Sequence, residues 1–504
     1  MGNSMCHLPS FQSGVLERLH LICSNFSMSN SFCIDGTYYS YNLFKDRIYA
    51  IRNSLKGNND RAIGLVPNND IETYASIFAI WMEGKYYVPL HPTWPIDRCD
   101  DVIKQVDIQI ILDSSEQPRQ YPSKPEVINT SYLSTNIDAS IGDIVECDDS
   151  EIAYILFTSG STGKPKGVPI SRGNLTSFVK AVWDMGLDVN ENDRCLQCFE
   201  LTFDLSVFSY LIPLLKGACV YTVPSNVIKY SHIAELLEDY ELTIALMAPS
   251  TINYLRPYFD EIEAPNLRYC LFCGEALHED VTSEWAKCVP NARIINVYGP
   301  TEDTIFCTSY EYNRHGKNKS HNGILSIGKS IKGCEAKILD ENGKAVLAGN
   351  LGELSLFGSQ LFQGYWNNEE KTAEAFIIAE DGRHYYKSGD LCYVDEDGDI
   401  MYSGRIDFQA KIQGFRVELG EIEFHARQIL SETNLVCIAF ENEHKLTELA
   451  LILESVPFDT TELIEKMREK MPPYMIPSKV IFEPSFPLNT NGKTDRKALM
   501  SILS

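Results

Sequence analysis

A chain of 504 residues is larger than one hydrophobic core usually supports, so two or more domains are expected. With 44% apolar and 22% charged residues it is of ordinary globular composition, and a formal charge of -25 at pH 7 argues against nonspecific attraction to nucleic acid or anionic lipid. No apolar run reaches transmembrane length, and the fifteen cysteines are scattered without CxxC or metal-like spacing, which suits reduced thiols in a cytoplasm.

In chain order, residues 1–20 lack the basic-then-apolar pattern of a secretory leader, and Cys6 stands where a myristoylation signal needs Ser or Thr. Residues 62–66 read as a strand. Ile71, Tyr74, Ala75, Phe78, Ala79 and Met82 then recur at helical spacing before the apolar run 86–90, which makes a βαβ unit. His91, in a turn bounded by prolines, reads as a hydrogen-bonded turn residue. Residues 108–112 add a strand, and the polar stretch 114–125 reads as a surface connection.

A further apolar strand, 152–157, leads into Thr158-Ser159-Gly160-Ser161-Thr162-Gly163-Lys164-Pro165-Lys166-Gly167. Glycines let such a loop curl tightly while amides, hydroxyls and ammonium groups converge on one anion, so it is predicted to cradle phosphate. It is not a Walker A loop, because Pro165 follows Lys164 and denies the next turn a donor, so no phosphate-binding helix starts there. Ser171 is placed to cap a helix with Leu175, Phe178, Val179 and Val182 on one face. In Phe203-Asp204-Leu205-Ser206-Val207-Phe208 a carboxylate sits among apolar residues, where it either meets a cation or caps the helix that follows.

Four β-rich runs, 219–223, 243–248, 268–273 and 293–297, alternate with helical stretches in the manner of a wound α/β sheet, whose ligands bind beyond the carboxyl ends of the strands. Two loops there are candidate site walls: Cys273-Gly274-Glu275 and Tyr298-Gly299-Pro300-Thr301-Glu302. Glycine permits close ligand approach, an exposed tyrosine ring offers a stacking face, and Thr and Glu suit phosphate and Mg²⁺. Beyond Tyr310 short strands suggest a β-rich subdomain, in which Asp390 is a candidate for ribose hydroxyls. The domain boundary is placed near Asp407, giving a large domain at 1–406 and a small α+β domain at 407–504, with Asp459 and Glu462 as a capping box for a helix over 460–470. Lys493, in Asn491-Gly492-Lys493-Thr494-Asp495-Arg496, stands at a turn where a lysine by itself reads as solvent-facing charge.

The order Thr-Ser-Gly-Ser-Thr-Gly-x-Pro-Lys-Gly resembles the phosphate loop of the adenylate-forming superfamily, which comprises acyl-CoA synthetases, luciferases and adenylation domains of nonribosomal peptide synthesis. The resemblance extends in motif order from Gly84 to Arg496, with His91 replacing a usual Asp. It implies a large domain of wound α/β subdomains plus a β-rich subdomain, followed by a small mobile α+β domain. It further implies that Thr158, Ser159, Gly160, Ser161, Thr162, Gly163 and Lys166 hold ATP phosphates and that Glu275, Tyr298 and Gly299 wall the nucleotide site, with Tyr298 stacking on adenine. Thr301 would contact phosphate, Glu302 would bind Mg²⁺, and Asp390 and Arg405 would hold the ribose. Lys493 would bridge substrate carboxylate and ribose-phosphate oxygens, and Asp407 would be the hinge of the small domain.

In amino-acid adenylation domains the residue matching Asp204 binds the substrate's α-ammonium, so the resemblance implies an amino acid. Leu271-Phe272-Cys273-Gly274-Glu275, Asp407-Phe408-Gln409 and Tyr474-Met475-Ile476-Pro477 resemble the stand-alone D-alanine:carrier-protein ligase branch. A pocket lined by Leu205, Phe208, Met247, Leu271, Cys273, Val297, Ile305 and Phe306 would then admit a side chain of a methyl or two. The implied reaction is ATP-dependent formation of an aminoacyl-AMP and transfer to the phosphopantetheine thiol of a carrier protein acting in trans, since no carrier domain follows Ser504. The rival readings are an acyl-CoA ligase, disfavoured by Asp204, and a catalytically silent member, disfavoured by Lys493, Glu302 and Lys166.

Overall fold

The computed structural model describes residues 14–135, 144–160, 165–407, 409–431, 433–487 and 494–503. The first βαβ unit forms as its pattern predicts: Ala62–Leu65 lies parallel to Tyr86–Pro89, and Ile71–Met82 crosses between them. That helix starts where Asp70 accepts bonds from the Thr73 amide and hydroxyl at 2.8 and 2.7 Å. All of its residues are buried, so it is a central core helix and not a surface helix with one wet face.

The six-stranded sheet of this unit runs Glu126–Asn129, Ile110–Asp113, Ala62–Leu65, Tyr86–Pro89, Ile152–Thr158, Lys166–Ser171. Its last two strands are antiparallel, with Thr158 opposite Lys166, so the glycine-rich loop joins a strand to a strand, as Pro165 requires. The next helix, Arg172–Asp184, opens with a capping box: the Asn174 amide donates to the Ser171 hydroxyl at 3.1 Å, and the Ser171 amide to Asn174 Oδ1 at 3.0 Å.

A nine-stranded sheet holds all four predicted α/β runs, at Cys219–Thr222, Ile244–Met247, Tyr269–Phe272 and Arg293–Tyr298. Sequence reading missed the strand that organises them, Arg194–Gln197, whose Arg and Gln obscure the apolar signal. Cys219–Thr222 lies on one side of it and Ile244–Met247 on the other. The winding direction reverses there, and such a reversal opens a crevice at the carboxyl ends of the strands.

The β-rich part is a five-stranded antiparallel sheet centred on His384–Val394. It is tied to the preceding layers by Asn174, whose Nδ2 donates to the carbonyls of Ser359 and Leu361 at 2.9 and 3.0 Å. A smaller α+β region follows. It comprises the hairpin Gln409–Ile412/Phe415–Glu418, the sheet Leu435–Glu441/Thr447–Glu454/Lys479–Glu483, and helices Leu419–Ile429 and Thr461–Arg468 around a core of its own. The architecture is thus a large α/β domain with mixed sheets and a smaller α+β region. The predicted capping box at Asp459 and Glu462 does not form. Thr460 takes the N-cap position without a side-chain cap bond, Asp459 accepts from the Thr461 amide at 3.0 Å, and Glu462 pairs instead with Lys466 at 2.7 Å.

Asn174 serves the helix cap and two carbonyls at once, that of Leu361 through a buried bond, whereas Ser171 serves the cap alone. Ser171→Ala should therefore cost about 1 kcal/mol of stability, and Asn174→Ala more, by about 1–3 kcal/mol for the buried Leu361 carbonyl left unpaired. Urea midpoints of the two variants check the order; equal losses would remove Asn174 from its bridging role.

Candidate active site

Beyond the carboxyl ends of the nine-stranded sheet lies a cavity of about 30 Å³, walled by Asp204, Leu205, Cys273, Gly274, Tyr298, Gly299, Thr301 and Ile305 from the sheet loops. Asp390 and Arg405 come from the β-rich part, and Lys411, Gly414 and Arg416 from the small region's hairpin. Asp204 stands at the N-cap position of helix Leu205–Leu214 but makes no cap bond, so the helix-cap reading fails. It is buried, and no lysine or arginine among the described residues forms an ion pair with it. Burial pushes its carboxyl up to about 7, against the pull of the Thr301 hydroxyl.

Ile305 reaches the cavity through a strained turn. Thr304 and Ile305 have φ of +51° and +78°, a region that β-branched residues rarely adopt and that costs on the order of 1–3 kcal/mol. The turn is held by Thr304 Oγ1, which donates to the Gln360 carbonyl at 2.5 Å, and by Gln360 Nε2, which donates to the Phe306 carbonyl at 3.0 Å.

The hairpin enters the site backbone first. Gly414, with φ +88°, donates its amide to Glu275 Oε1 at 2.9 Å, while Glu275 Oε2 accepts from the Ser250 amide at 2.8 Å. A Cβ on Gly414 would meet the Phe203 ring at 3.3 Å, so the approach favours glycine. Arg416 Nη1 donates to both oxygens of Glu302, at 2.9 and 3.2 Å, and the Tyr365 hydroxyl adds a third bond at 2.8 Å. Burial would push the Glu302 carboxyl up, but Arg416, Lys166 and Tyr365 together hold it below its usual value. Lys166 stands 3.5 Å from Glu418, and burial, reinforced by Arg416, depresses its ammonium. Ser159 Oγ donates to the Arg416 carbonyl at 2.8 Å and accepts from the Glu418 amide at 2.9 Å. The Gly160 amide donates to Glu421 Oε2 at 3.0 Å, and the other oxygen of Glu421 pairs with buried Arg98 at 2.6 Å.

Several expectations are corrected by this geometry. Tyr298 is buried, not exposed; its hydroxyl bonds Asp390, and Lys411 stands 5.3 Å from its ring centre on the face expected to stack a base. Glu302, expected to bind Mg²⁺, is met in this arrangement by Arg416, which supplies its counter-charge. Among the described residues no group of three or more His, Cys, Asp or Glu is placed to hold a metal. Of the predicted substrate wall, Leu205, Cys273 and Ile305 line the cavity with Asp204, whereas Phe208, Met247, Leu271, Val297 and Phe306 do not. These five lie one layer deeper, in the strands or in the aromatic packing of Phe178, Phe208 and Phe306. Burial raises the Cys273 thiol to about 12, so it packs as a small apolar group.

Asp390 and Arg405 do come together, at 2.8 Å, and Arg405 also pairs with Asp407 at 2.6 Å. Thr158 keeps a buried hydroxyl without a partner among the described residues. Ser161, Thr162, Gly163 and Lys493 lie outside the described residues. Sequence reading assigned no role to Arg98, Tyr365, Lys411, Arg416, Glu418 or Glu421. The adjacent charges of Arg416, Glu418 and Glu421 were the only hint, and charge at a strand end ordinarily faces solvent.

The chain matches the family model described as AMP-binding enzyme over residues 24–366. It is 30% identical to a D-alanine--D-alanyl carrier protein ligase of Lactiplantibacillus plantarum, over 93% of this chain and 94% of that protein. It is 32% identical to tyrocidine synthase 3 of Brevibacillus parabrevis over 92% of this chain, which spans 7% of that protein. Among solved structures it superposes on the Vibrio cholerae adenylation domain AlmE in complex with glycyl-adenosine-5'-phosphate, with a TM-score of 0.83, 25% identity and 99% of both chains covered.

The Asp204 carboxyl, at about 7 folded against 3.8 unfolded, binds its proton more tightly in the folded chain, so its contribution to stability falls as pH rises from about 4 to about 7. Asp204→Asn should therefore gain stability relative to the parent with rising pH, by about 2 kcal/mol between pH 5.5 and 8. Denaturation of both proteins at the two pH values checks this. A pH-independent difference would mean that Asp204 is not a buried, unpaired carboxylate.

Proposed function

The chain belongs to the AMP-binding enzyme family and is an AMP-forming ligase, and on that premise we propose that it activates a small amino acid and passes it to the phosphopantetheine thiol of a carrier protein. The observation that carries the amino-acid reading is Asp204: a buried carboxylate without an ion-pair partner among the described residues, at the wall of a narrow cavity, suits an α-ammonium brought by substrate. Leu205, Cys273 and Ile305, which wall the cavity beside Asp204, support a small side chain of a methyl or two. D-alanine is the preferred candidate, supported by the carrier-protein ligase relative and by the Leu271-to-Glu275 segment. Glycine is the rival, favoured by the AlmE likeness.

In the first step the substrate carboxylate attacks the α-phosphorus of ATP, forming the acyl–phosphate bond as the bond to pyrophosphate breaks. In the second the carrier thiol loses its proton, attacks the acyl carbon and expels AMP. Positioning and neutralisation of charge suffice for the first step. The chain offers Lys166, Ser159 and Gly160 toward the phosphates, and Asp390 with Arg405 toward the ribose. Lys493 is proposed as the cation on the reacting oxygens during adenylation, and the small domain as the mobile part that carries it, turning about Asp407.

ATP–pyrophosphate exchange with glycine, D-alanine, L-alanine and fatty acids tests the substrate. Exchange with a small amino acid is expected, with D-alanine leading, and exchange with fatty acids alone would replace this reading by an acyl-CoA ligase. Asp204→Ala should cost amino-acid use about 3–5 kcal/mol, two or more orders of magnitude, with ATP binding retained. Lys493→Ala should abolish exchange yet still transfer from a supplied aminoacyl-adenylate. Full exchange by that variant would end the role of Lys493.

A further inference from the structure

Ile305 owes its place in the cavity wall to a backbone that its own side chain resists. Thr304 and Ile305 are consecutive β-branched residues at φ +51° and +78°, where a branched Cβ crowds the neighbouring carbonyl oxygens. Such a turn persists only where its surroundings over-determine it. A single side chain supplies most of that constraint. Gln360 Nε2 donates to the Phe306 carbonyl at 3.0 Å and stands 3.3 and 3.5 Å from the carbonyls of Asp303 and Thr304, while the Gln360 carbonyl accepts from Thr304 Oγ1 at 2.5 Å. We propose that Gln360 is a positioning residue that sets the size of the substrate side chain, by holding Ile305 in the wall from behind without lining the cavity itself. The inference rests on the amino-acid adenylation reading above and concerns the same pocket.

Gln360 is fully buried, and only its nitrogen can face three carbonyls, so the orientation of the amide is fixed and its Oε1 is left without a partner among the described residues. The side chain thus gives up half of its own hydrogen bonding to reach the turn. While that clamp holds, the turn has nowhere else to settle. On the cavity side it rests on Gly299, where a Cβ would meet the Phe306 Cα at 2.4 Å. On the far side Phe306 packs against Phe178 and Phe208, with ring centres 4.9 and 5.6 Å away. Asn174 fixes Gln360 in its turn, since its Nδ2 donates to the carbonyls on either side of it, those of Ser359 and Leu361. Loss of the clamp frees the two branched residues to return toward negative φ, which takes the Ile305 side chain off the wall. The pocket then yields to a larger side chain.

Gln360→Met keeps the length and volume of the side chain and removes only the amide. ATP–pyrophosphate exchange by the parent and by Q360M, with glycine and both enantiomers of alanine, 2-aminobutyrate and valine, reads the pocket. One misfit methylene is worth about 10–200-fold in an apolar pocket, so Q360M should lose about tenfold of the parent's discrimination, as kcat/KM, between its best amino acid and the one a methylene larger. The change should lie in the KM for the amino acid, with the KM for ATP unchanged. An unchanged ratio overturns the proposal, whether activity is retained or falls alike for every amino acid, because a merely structural role lowers all of them together. A sharpened ratio overturns it as well. Should Q360M not fold, Thr304→Val, isosteric and lacking only the hydroxyl that meets the Gln360 carbonyl, takes its place. A loss of about threefold is then expected, as for one hydrogen bond, with the same overturning results. Exchange by the parent with fatty acids alone would end the amino-acid reading, and this inference with it.

Discussion

The contact on which the site depends is the Arg416–Glu302 pair, because it joins the two parts of the molecule through a carboxylate that is fully buried. Glu302 sits at the end of strand Arg293–Tyr298, in a short turn of the nine-stranded sheet, and its partners come from two other places: Tyr365 from the β-rich part and Arg416 from the small region's hairpin. A carboxylate so placed cannot remain charged without a counter-charge. The geometry of the whole site is therefore conditional on which cation meets it.

Around that contact the three layers divide the work. The reversal of winding at Arg194–Gln197 opens the crevice and delivers Asp204 to it, while the next strands deliver Cys273 and Thr301. The five-stranded sheet contributes the Asp390–Arg405 pair, and Gln409 passes that pair on to the hairpin by accepting from Arg405 at 2.8 Å and from Arg416. On the proposed reading, the groups for the amino acid and those for the ribose thus come from different sheets. The hairpin, approaching backbone first at Gly274 and Gly414, closes on both.

Asp204 and Glu302 show how environment assigns opposite states to two buried carboxylates in one site. Burial pushes both up, yet Glu302 has Arg416, Lys166 and Tyr365 to offset it and stays ionised, whereas Asp204 has mainly the Thr301 hydroxyl and a distant Lys411. The first is satisfied within the chain. The second keeps no counter-charge among the described residues, at a standing cost in stability of the kind active sites carry.

Local signals were enough for most of the elements. Alternating apolar runs and helical periodicity gave the wound sheets, Pro165 excluded a helix directly after the glycine-rich loop, Ser171 gave its helix cap, and the isolated acidity of Asp204 amid Phe203 and Leu205 marked it as either a cation partner or a cap. These features depend on residues within a few positions of one another, where periodicity and capping act. Tertiary structure alone decided that Tyr298 is covered by Lys411, that Phe208 and Phe306 lie behind the cavity and not in it, and that Arg98, Arg416, Glu418 and Glu421 belong to the site at all. Each of those facts is a pairing between residues a hundred or more positions apart or a matter of layer depth. A charge in a sequence carries no sign of whether it will face water or a partner brought by the fold, because that choice is made by desolvation when distant elements close over it.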